Sequence, residues 1–333
     1  MESSVQKQAL EVAARQVVLR YPELTTPETW EMVRPGFSGA IIWKVNTSAG
    51  SFALRAWPPH QSIPNRLSYV HGLMEKAGQH LPFVPRLVRQ ANGSSWTHQY
   101  DRCWEVTTWM PGRASFADQP SLPRLFSAID ALADLHVQWR GVIPVRGISV
   151  GLERRKQALA LWPDLQLRLR ENNLGAVDEV VDNLIKRSVT QLQYRVLHAQ
   201  RLLDPWIGQS FSLQPCLADP WHDHFLFLGE RVSGLIDYGS VREDHVSVDL
   251  ARMLGSLVPR DKPWRMLALE TYCERGSLRP EEWSLVDALD RSGTLVGVMN
   301  WLRWLVFGER PIVDLKAGLH RWSVLVQVLE QMD

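Results

Sequence analysis

The chain has 333 residues, of which 45% are apolar and 22% are charged. This is the composition of a globular protein that is long enough to bury a large core in one or two domains. The formal net charge is +1 and no long run carries a single sign, which excludes a broad basic field for nucleic acid and a charged disordered tail. We therefore expect a small-molecule partner and no nucleic acid.

Cysteine usage and hydropathy indicate the cellular compartment of the protein. Cys103, Cys216 and Cys273 are far apart and odd in number, which fits neither a disulfide framework nor a paired-cysteine zinc site. The N-terminal segment lacks the apolar stretch of a signal peptide, and no later segment approaches about 20 uninterrupted apolar residues. The sequence therefore predicts a cytoplasmic protein that does not enter a membrane.

The N-terminal third mixes helical and strand-like patterns. Apolar residues recur at helical spacing in two segments, and β-rich runs bounded by turn residues predict strands between and after them. The predicted elements are a helix over 5–20, a hairpin of strands 41–45 and 51–57, a helix over 63–79, and further strands within 84–88 and 95–112. Together they predict a compact lobe built on a small antiparallel sheet.

After Gly112 the pattern becomes helical, beginning with the segment 122–139, whose leucines and isoleucine share one face. We take this change of period as the boundary between an N-terminal lobe, residues 1–112, and a helical C-terminal lobe, residues 113–333.

A β-hairpin interrupts the helical part, with predicted strands at 225–228 and 232–236. Asp219 and His224 precede its first strand, and Asp237 follows its second. Because the two open ends of a hairpin lie side by side, His224 and Asp237 are expected at one mouth. Phosphoryl transfer needs metal ions to neutralise the phosphates and a group to accept the hydroxyl proton, and carboxylates in this position suit both tasks.

A second candidate feature is Arg34-Pro-Gly-Phe-Ser-Gly-Ala, which precedes the first hairpin. Gly36 and Gly39 let the backbone approach a ligand closely and direct N–H groups at phosphate. Two nearby glycines also make ordinary turns, so this segment by itself leaves both interpretations open.

The spacing of Asp219, four residues and His224, and then Asp237 within Leu-Ile-Asp-Tyr-Gly, resembles aminoglycoside phosphotransferases and their choline kinase-like and homoserine kinase-like relatives. Their catalytic segment reads His-Gly-Asp, four residues and Asn, with Ile-Asp-Phe or Ile-Asp-Tyr after a short hairpin. The resemblance covers nearly the whole chain. It implies an α+β, protein kinase-like two-lobed fold, with a small N-terminal antiparallel sheet lobe and a larger helical C-terminal lobe.

The resemblance also implies site residues. Asp219 is implied as the catalytic base, and Asp237 as the main metal ligand. His224 stands in the place of the asparagine that is the second metal ligand, and Asp249 in the place of a buried aspartate that braces the catalytic loop. The implied nucleotide-binding positions are Gly36, Ser38, Gly39, Arg55, Thr108 and Trp109, the last two within the segment that resembles the hinge between the lobes.

The phosphate-binding position departs from the family pattern. Arg55 replaces a lysine, and its planar guanidinium can still pair with phosphate although it does not replace an ammonium group directly. The helical glutamate that pairs with that lysine falls near His71, and Glu75, one turn later, is a candidate substitute.

The catalytic loop departs as well, because Leu217 and Ala218 replace its histidine and glycine, and His224 replaces its asparagine. Magnesium prefers oxygen ligands, whereas imidazole nitrogen suits manganese and other transition metals better.

The implied function is transfer of the γ-phosphoryl group of ATP or GTP to a hydroxyl of a small molecule, with Mg²⁺ or Mn²⁺ as the ion. The substitutions leave a second hypothesis open, that of a nucleotide-binding pseudokinase with a regulatory role. A third hypothesis, a zinc hydrolase, draws on His222 and His224 with His245 or Asp237. Residues 260–333 show no acidic cluster that would suit a polycationic antibiotic.

Overall fold

A computed structural model describes residues 4–24, 26–33, 39–59, 64–141, 145–171, 178–312 and 314–332. Within these ranges the chain forms ten α-helices and ten β-strands. The helices are α1 (Ser4–Val18), α2 (Pro64–Gly78), α3 (Leu122–Trp139), α4 (Val150–Ala160), α5 (Trp162–Glu171), α6 (Glu179–Leu203), α7 (Ser247–Leu257), α8 (Lys262–Cys273), α9 (Trp283–Trp301) and α10 (Leu315–Glu330). The strands are β1 (Thr29–Met32), β2 (Ile41–Thr47), β3 (Gly50–Ala56), β4 (Trp96–Gln99), β5 (Arg102–Thr108), β6 (Val145–Gly147), β7 (Phe211–Cys216), β8 (Phe225–Leu228), β9 (Arg231–Leu235) and β10 (Arg242–Asp244). None of the helices in these ranges is long and apolar enough to cross a membrane.

The chain divides into two compact units. The first comprises residues 1–114 together with 225–239, and the second comprises residues 115–224 and 240–333. The hairpin of β8 and β9 therefore belongs to the first unit, although most of its sequence neighbours belong to the second. The lobe boundary drawn at Gly112 from the sequence stays a prediction.

The first unit is built on a five-stranded antiparallel sheet in the order β1-β2-β3-β5-β4. Alternate residues of β2, β3 and β5 point to one face, where they are buried beneath α1. Trp43 and Trp104 stack there with ring centroids 5.8 Å apart, and Trp43 Nε1 donates to Glu11 of α1 at 2.8 Å. Burying a side chain of this size stabilises the fold by roughly 2–3 kcal/mol, so this face forms the core of the unit.

Two details of this sheet differ from the sequence prediction. The segment 84–88 was predicted as a strand, but it forms only one isolated bridge, between Leu87 and Thr107, because Pro85 has no N–H to donate to a ladder. Strand β1 pairs with β2 although its sequence did not predict a strand. It is an edge strand whose residues are mostly exposed, so it lacks an alternating apolar pattern.

The second unit is mainly helical, with the long helix α9 in contact with α4, α6, α7 and α10. Eleven residues of α9 are buried, including Leu285, Leu289 and Leu295, so its apolar character runs around most of the helix. A small antiparallel sheet in the order β10-β7-β6 lies in the same unit and was not predicted from the sequence. Its central strand, β7, leads directly into the loop that carries Asp219.

Candidate active site

The face of the first unit's sheet that is opposite α1 forms one wall of a pocket. Phe52 and Leu54 point toward the core, so the period of two places Ala53 and Arg55 on the pocket side. The pocket is lined mainly by apolar side chains, including Val33, Ile42, Ala53, Met74, Met110 and Ile236. Its charged lining residues include Arg55, Glu105 and Asp237. The pocket therefore combines apolar walls with a group of charged side chains.

Arg55 lies between two carboxylates. Its Nη1 is 3.3 Å from Asp237 Oδ1 and 3.8 Å from Glu105 Oε1. Its guanidinium carbon also lies 5.0 Å from the centre of the Trp57 ring, within cation–π range. These contacts hold the cation in the pocket with only 18% of its side chain exposed.

Glu105 was missed by the sequence analysis. The register of β3 and β5 places it directly opposite Arg55, and its Oε2 is 2.7 Å from His71 Nε2. His71, on α2, occupies the helical position at which the family pattern has a glutamate. Its Nδ1 contacts Ser95 Oγ at 2.7 Å. Glu75, the candidate substitute, pairs instead with Arg89 at the surface. The available signal was a charged residue between two apolar residues, Trp104 and Val106, in the middle of a strand.

Asp237 follows β9 and has a positive φ of 64°. Residues other than glycine, asparagine and aspartate rarely adopt this left-handed conformation, which here turns the chain sharply at the end of the hairpin. The N–H of Gly239 donates to Asp237 Oδ1 at 3.3 Å, and Arg66 of α2 donates to the carbonyl oxygen of Gly239. The turn therefore positions the Asp237 carboxylate toward Arg55.

The other predicted nucleotide-binding residues fall into two groups. Thr108 and Trp109 line the pocket at the end of β5. The Trp109 N–H donates to the Ser51 carbonyl at 2.8 Å, and Lys44 Nζ lies 5.0 Å from the centre of the Trp109 ring. Gly39 has a positive φ of 75° and lies against Pro58. The other two predicted residues of the glycine segment, Gly36 and Ser38, lie outside the described residues.

The loop that carries Asp219 belongs to the second unit, and hydrogen bonds to Asp249 hold it in place. This carboxylate, in the first turn of α7, is fully buried and accepts the N–H groups of Leu217 and Ala218 at 2.7 and 2.6 Å. Its Oδ2 also lies 3.0 Å from His136 Nε2. A buried carboxylate with this many donors is rigidly placed. Ala218 has a positive φ of 67°, so the loop turns sharply just before Asp219.

Asp219 itself is about half exposed, and its Oδ1 accepts a hydrogen bond from Arg252 Nε at 2.5 Å. His224 Nδ1 is 3.0 Å from the Asp219 carbonyl oxygen and 3.4 Å from the Trp221 N–H. One ring nitrogen cannot donate and accept at once, and the shorter contact favours an Nδ1–H that donates to the carbonyl. In that tautomer the ring lone pair is on Nε2.

Other histidines near the loop have structural partners. His136 is buried and its Nδ1 contacts the Tyr272 hydroxyl at 2.6 Å, which completes the set of bonds around Asp249. His245, a member of the zinc hypothesis, is buried beside Ser247 and Glu282. Within the described part of the chain, the one group of three potential ligand atoms within 4.8 Å of one another is His136, Cys216 and Asp249. Asp249 there already accepts backbone donors, so the zinc hypothesis gains no support.

Comparison with known proteins places these features in a family. Residues 29–288 match the model of the phosphotransferase enzyme family, a span that contains every predicted site residue. A homoserine kinase from Nitrobacter winogradskyi is 26% identical over 216 residues, which cover 64% of this chain and 58% of that protein. The chain thus spans somewhat over half of the length of this curated relative.

Solved structures give the same fold. A spectinomycin phosphotransferase in complex with ADP and spectinomycin superposes with a TM-score of 0.70 at 9% identity, covering 96% of this chain and 97% of that one. An aminoglycoside phosphotransferase from Alicyclobacillus acidocaldarius gives a TM-score of 0.66 at 15% identity, covering 95% and 93% of the two chains. The family and the α+β, protein kinase-like fold class predicted from the sequence are confirmed.

Proposed function

Because this chain belongs to the phosphotransferase enzyme family, we propose that it transfers the γ-phosphoryl group of ATP or GTP to a hydroxyl of a small molecule. The observation that carries the proposal is the pocket of the first unit, whose apolar walls end at the paired Arg55 and Asp237. Such a pocket suits a nucleotide, since a base packs against apolar walls while its phosphates need a cation and a metal ligand. The spectinomycin phosphotransferase of the same fold was solved with ADP bound, which agrees with this assignment.

The donor chemistry fits a divalent metal ion. Asp237 supplies carboxylate oxygens, the ligands that Mg²⁺ prefers, and His224 supplies an imidazole nitrogen that suits Mn²⁺ better. When bound, such an ion neutralises the charge of the transferring phosphates. Arg55 then places its guanidinium against phosphate oxygens, and the Asp237–Arg55 pair keeps both side chains oriented before the nucleotide binds.

We assign to Asp219 the role of accepting the proton of the reacting substrate hydroxyl. The substrate oxygen forms a bond to the γ-phosphorus, the bond from that phosphorus to the β–γ bridging oxygen breaks, and the nucleoside diphosphate leaves with the bridging electron pair. The hydroxyl proton moves to the Asp219 carboxylate, which the Asp249 brace keeps in position. No covalent intermediate is required.

The regulatory pseudokinase is the second candidate, and the ion pair between Asp219 and Arg252 favours it, since this pair occupies one oxygen of the base. The two candidates differ in turnover and not in nucleotide binding. Calorimetric titration with ATP and GTP, with Mg²⁺ or Mn²⁺, measures binding, and transfer of labelled γ-phosphate to pooled hydroxyl metabolites measures turnover.

Asp219→Asn tests the assignment directly. We expect nucleotide affinity to be retained and turnover to fall by roughly 10²–10⁴-fold, because the base acts at transfer and not during docking. The matched control is Asp118→Asn, an exposed aspartate of the same unit, which should leave turnover unchanged. Transfer by Asp219→Asn at the wild-type rate would remove Asp219 from the mechanism, and tight nucleotide binding without transfer by the wild type would favour the pseudokinase.

A further inference from the structure

The loop that carries Asp219 is surrounded by arginines from separate elements of the second unit. Arg252 of α7 donates to Asp219 at 2.5 Å, and its guanidinium carbon lies 4.1 Å from the centre of the Trp221 ring. Arg321 of α10 lies 4.4 Å from the centre of the same ring. Two guanidinium groups therefore converge on one tryptophan that is two residues from Asp219.

Arg155 adds a third cation, from α4. Its Nε is shielded from solvent and has no hydrogen-bond partner, and its side chain forms no ion pair with any residue that the structure describes. Burial and, after it, the charges of Arg252 and Arg242 lower the pKa of Arg155 to about 10, against the opposing effect of Asp244 and Asp219. A shielded Nε without a hydrogen-bond partner is costly to the folded protein, and an anion bound at this guanidinium would offset that cost.

The carboxylates nearby leave the cluster positive. Asp244 is fully buried and accepts Arg242 at 3.2 Å, in addition to Ser149 and the Gly151 N–H. Asp219 accepts Arg252, and Asp223 is mostly exposed and paired with His222. Burial lowers the pKa of Arg321, and the charge of Arg252 lowers it further, against the opposing effect of Asp219 and Asp223. Four arginines thus face three carboxylates, one of which is largely in solvent.

We propose that the arginine cluster, Arg155, Arg242, Arg252 and Arg321, binds an anionic group of the acceptor, so that the substrate is a small hydroxyl compound that carries a carboxylate or a phosphate. This inference rests on the proposed kinase function and names its substrate class. The planar guanidinium pairs with both kinds of anion through two parallel hydrogen bonds, and Trp221 holds two of these groups in place. A polycationic acceptor would be repelled at the same position.

The first test uses the unmodified protein. The acceptors tested share a three-carbon skeleton and differ in charge: glycerol, glycerate, glycerol 3-phosphate and 3-amino-1,2-propanediol. A wider set of hydroxyl metabolites is sorted into the same charge classes. Transfer of labelled γ-phosphate is expected to favour anionic acceptors, with glycerate and glycerol 3-phosphate distinguishing carboxylate from phosphate. Preferred transfer to neutral or cationic acceptors would overturn the inference and leave the kinase function standing.

The second test measures anion binding without turnover. Malonate and inorganic phosphate are titrated calorimetrically into the wild type and into Arg155→Met, Arg321→Met and the control Arg201→Met, an exposed arginine of the same unit. We expect the first two variants to lose at least about tenfold in affinity, and the control to bind as the wild type does. A parallel Arg55→Met variant reports any anion that binds in the first unit, and it should retain this affinity.

Thermal unfolding and circular dichroism show whether each variant is folded. If Arg155→Met does not fold, Arg321→Met and the charge preference of the wild type decide the question. Absence of anion binding by the wild type, or equal affinity in the folded cluster variants, would refute the proposal. If the wild type neither transfers phosphate nor binds nucleotide, the kinase function on which the proposal rests is refuted instead.

Discussion

Arg55 and Glu105 face each other across neighbouring antiparallel strands, with Arg55 Nη1 3.8 Å from Glu105 Oε1. The acidic partner of the phosphate-binding cation is therefore on strand β5, while the helix α2 supplies His71, which contacts the other oxygen of the same carboxylate at 2.7 Å. The histidine at the helical position thus supports a glutamate on the sheet. This arrangement leads to a prediction that the sequence alone did not provide.

Glu105→Gln should weaken nucleotide binding by about five- to tenfold, because Arg55 loses an anionic neighbour and His71 loses a charged acceptor. Isothermal titration with ATP and Mg²⁺ measures the effect. Glu75→Gln is the matched control, since Glu75 is on the same helix as His71 but pairs with Arg89 at the surface. Equal losses in the two variants would show that Glu105 has no special role.

Asp237→Ala should abolish the part of nucleotide affinity that depends on the metal ion. The substitution removes the carboxylate assigned to the ion and leaves Arg55 without its 3.3 Å partner. Titrations with and without a chelator separate this part from the rest, which the apolar walls and Arg55 supply. If the chelator lowers the affinity of Asp237→Ala as much as that of the wild type, the ion is held elsewhere.

His224 should give the site an unusual metal preference. We expect higher turnover with Mn²⁺ than with Mg²⁺, because an imidazole nitrogen binds the softer ion better, and His224→Asn should shift the ratio toward Mg²⁺. The Nδ1 contact with the Asp219 carbonyl allows a second role, in which the ring only supports the loop. In that case His224→Asn would lower turnover with both ions and leave their ratio unchanged.

His245 should make the second unit sensitive to acid. Burial lowers the pKa of His245, against the opposing effect of Glu282 and Asp244, so the ring takes up a proton less readily in the folded state than in the unfolded chain. The unfolded chain binds a proton near pH 6.5, and stability is therefore lost as the pH falls below that value. His245→Gln should reduce the drop in melting temperature between pH 7.5 and pH 5.5, whereas the exposed His80→Gln should not. An unchanged drop in His245→Gln would exclude this residue as the cause.

The sequence was most informative where the pattern is local. Strands β2 and β3 were predicted within two residues because their apolar positions alternate and a turn-prone segment separates them. Helices α1 and α3 show the same correspondence between spacing and structure. Strands β6, β7 and β10 were missed because two of them are only three residues long and they pair over large separations along the chain.

The candidate site was predictable only in part, for a related reason. Asp219 and Asp237 are recognisable because their neighbours form a continuous motif. Glu105 was overlooked because its role depends on the register of β3 with β5 and not on its distance from Arg55 along the sequence. The arginine cluster is still less visible, since its members come from α4, α7, α10 and β10, which are far apart in the sequence.

Ala218 holds a left-handed backbone conformation, with φ of 67°, one residue before the proposed base. An alanine in this region costs roughly 1–2 kcal/mol relative to the right-handed form, whereas glycine adopts either at little cost. The two hydrogen bonds that Asp249 makes to Leu217 and Ala218 offset that cost and retain the turn. The loop thus holds a left-handed turn with an alanine at the position where the resembling family pattern reads glycine. Searches that require a glycine before this aspartate would overlook such chains, whereas searches for the loop conformation would find them.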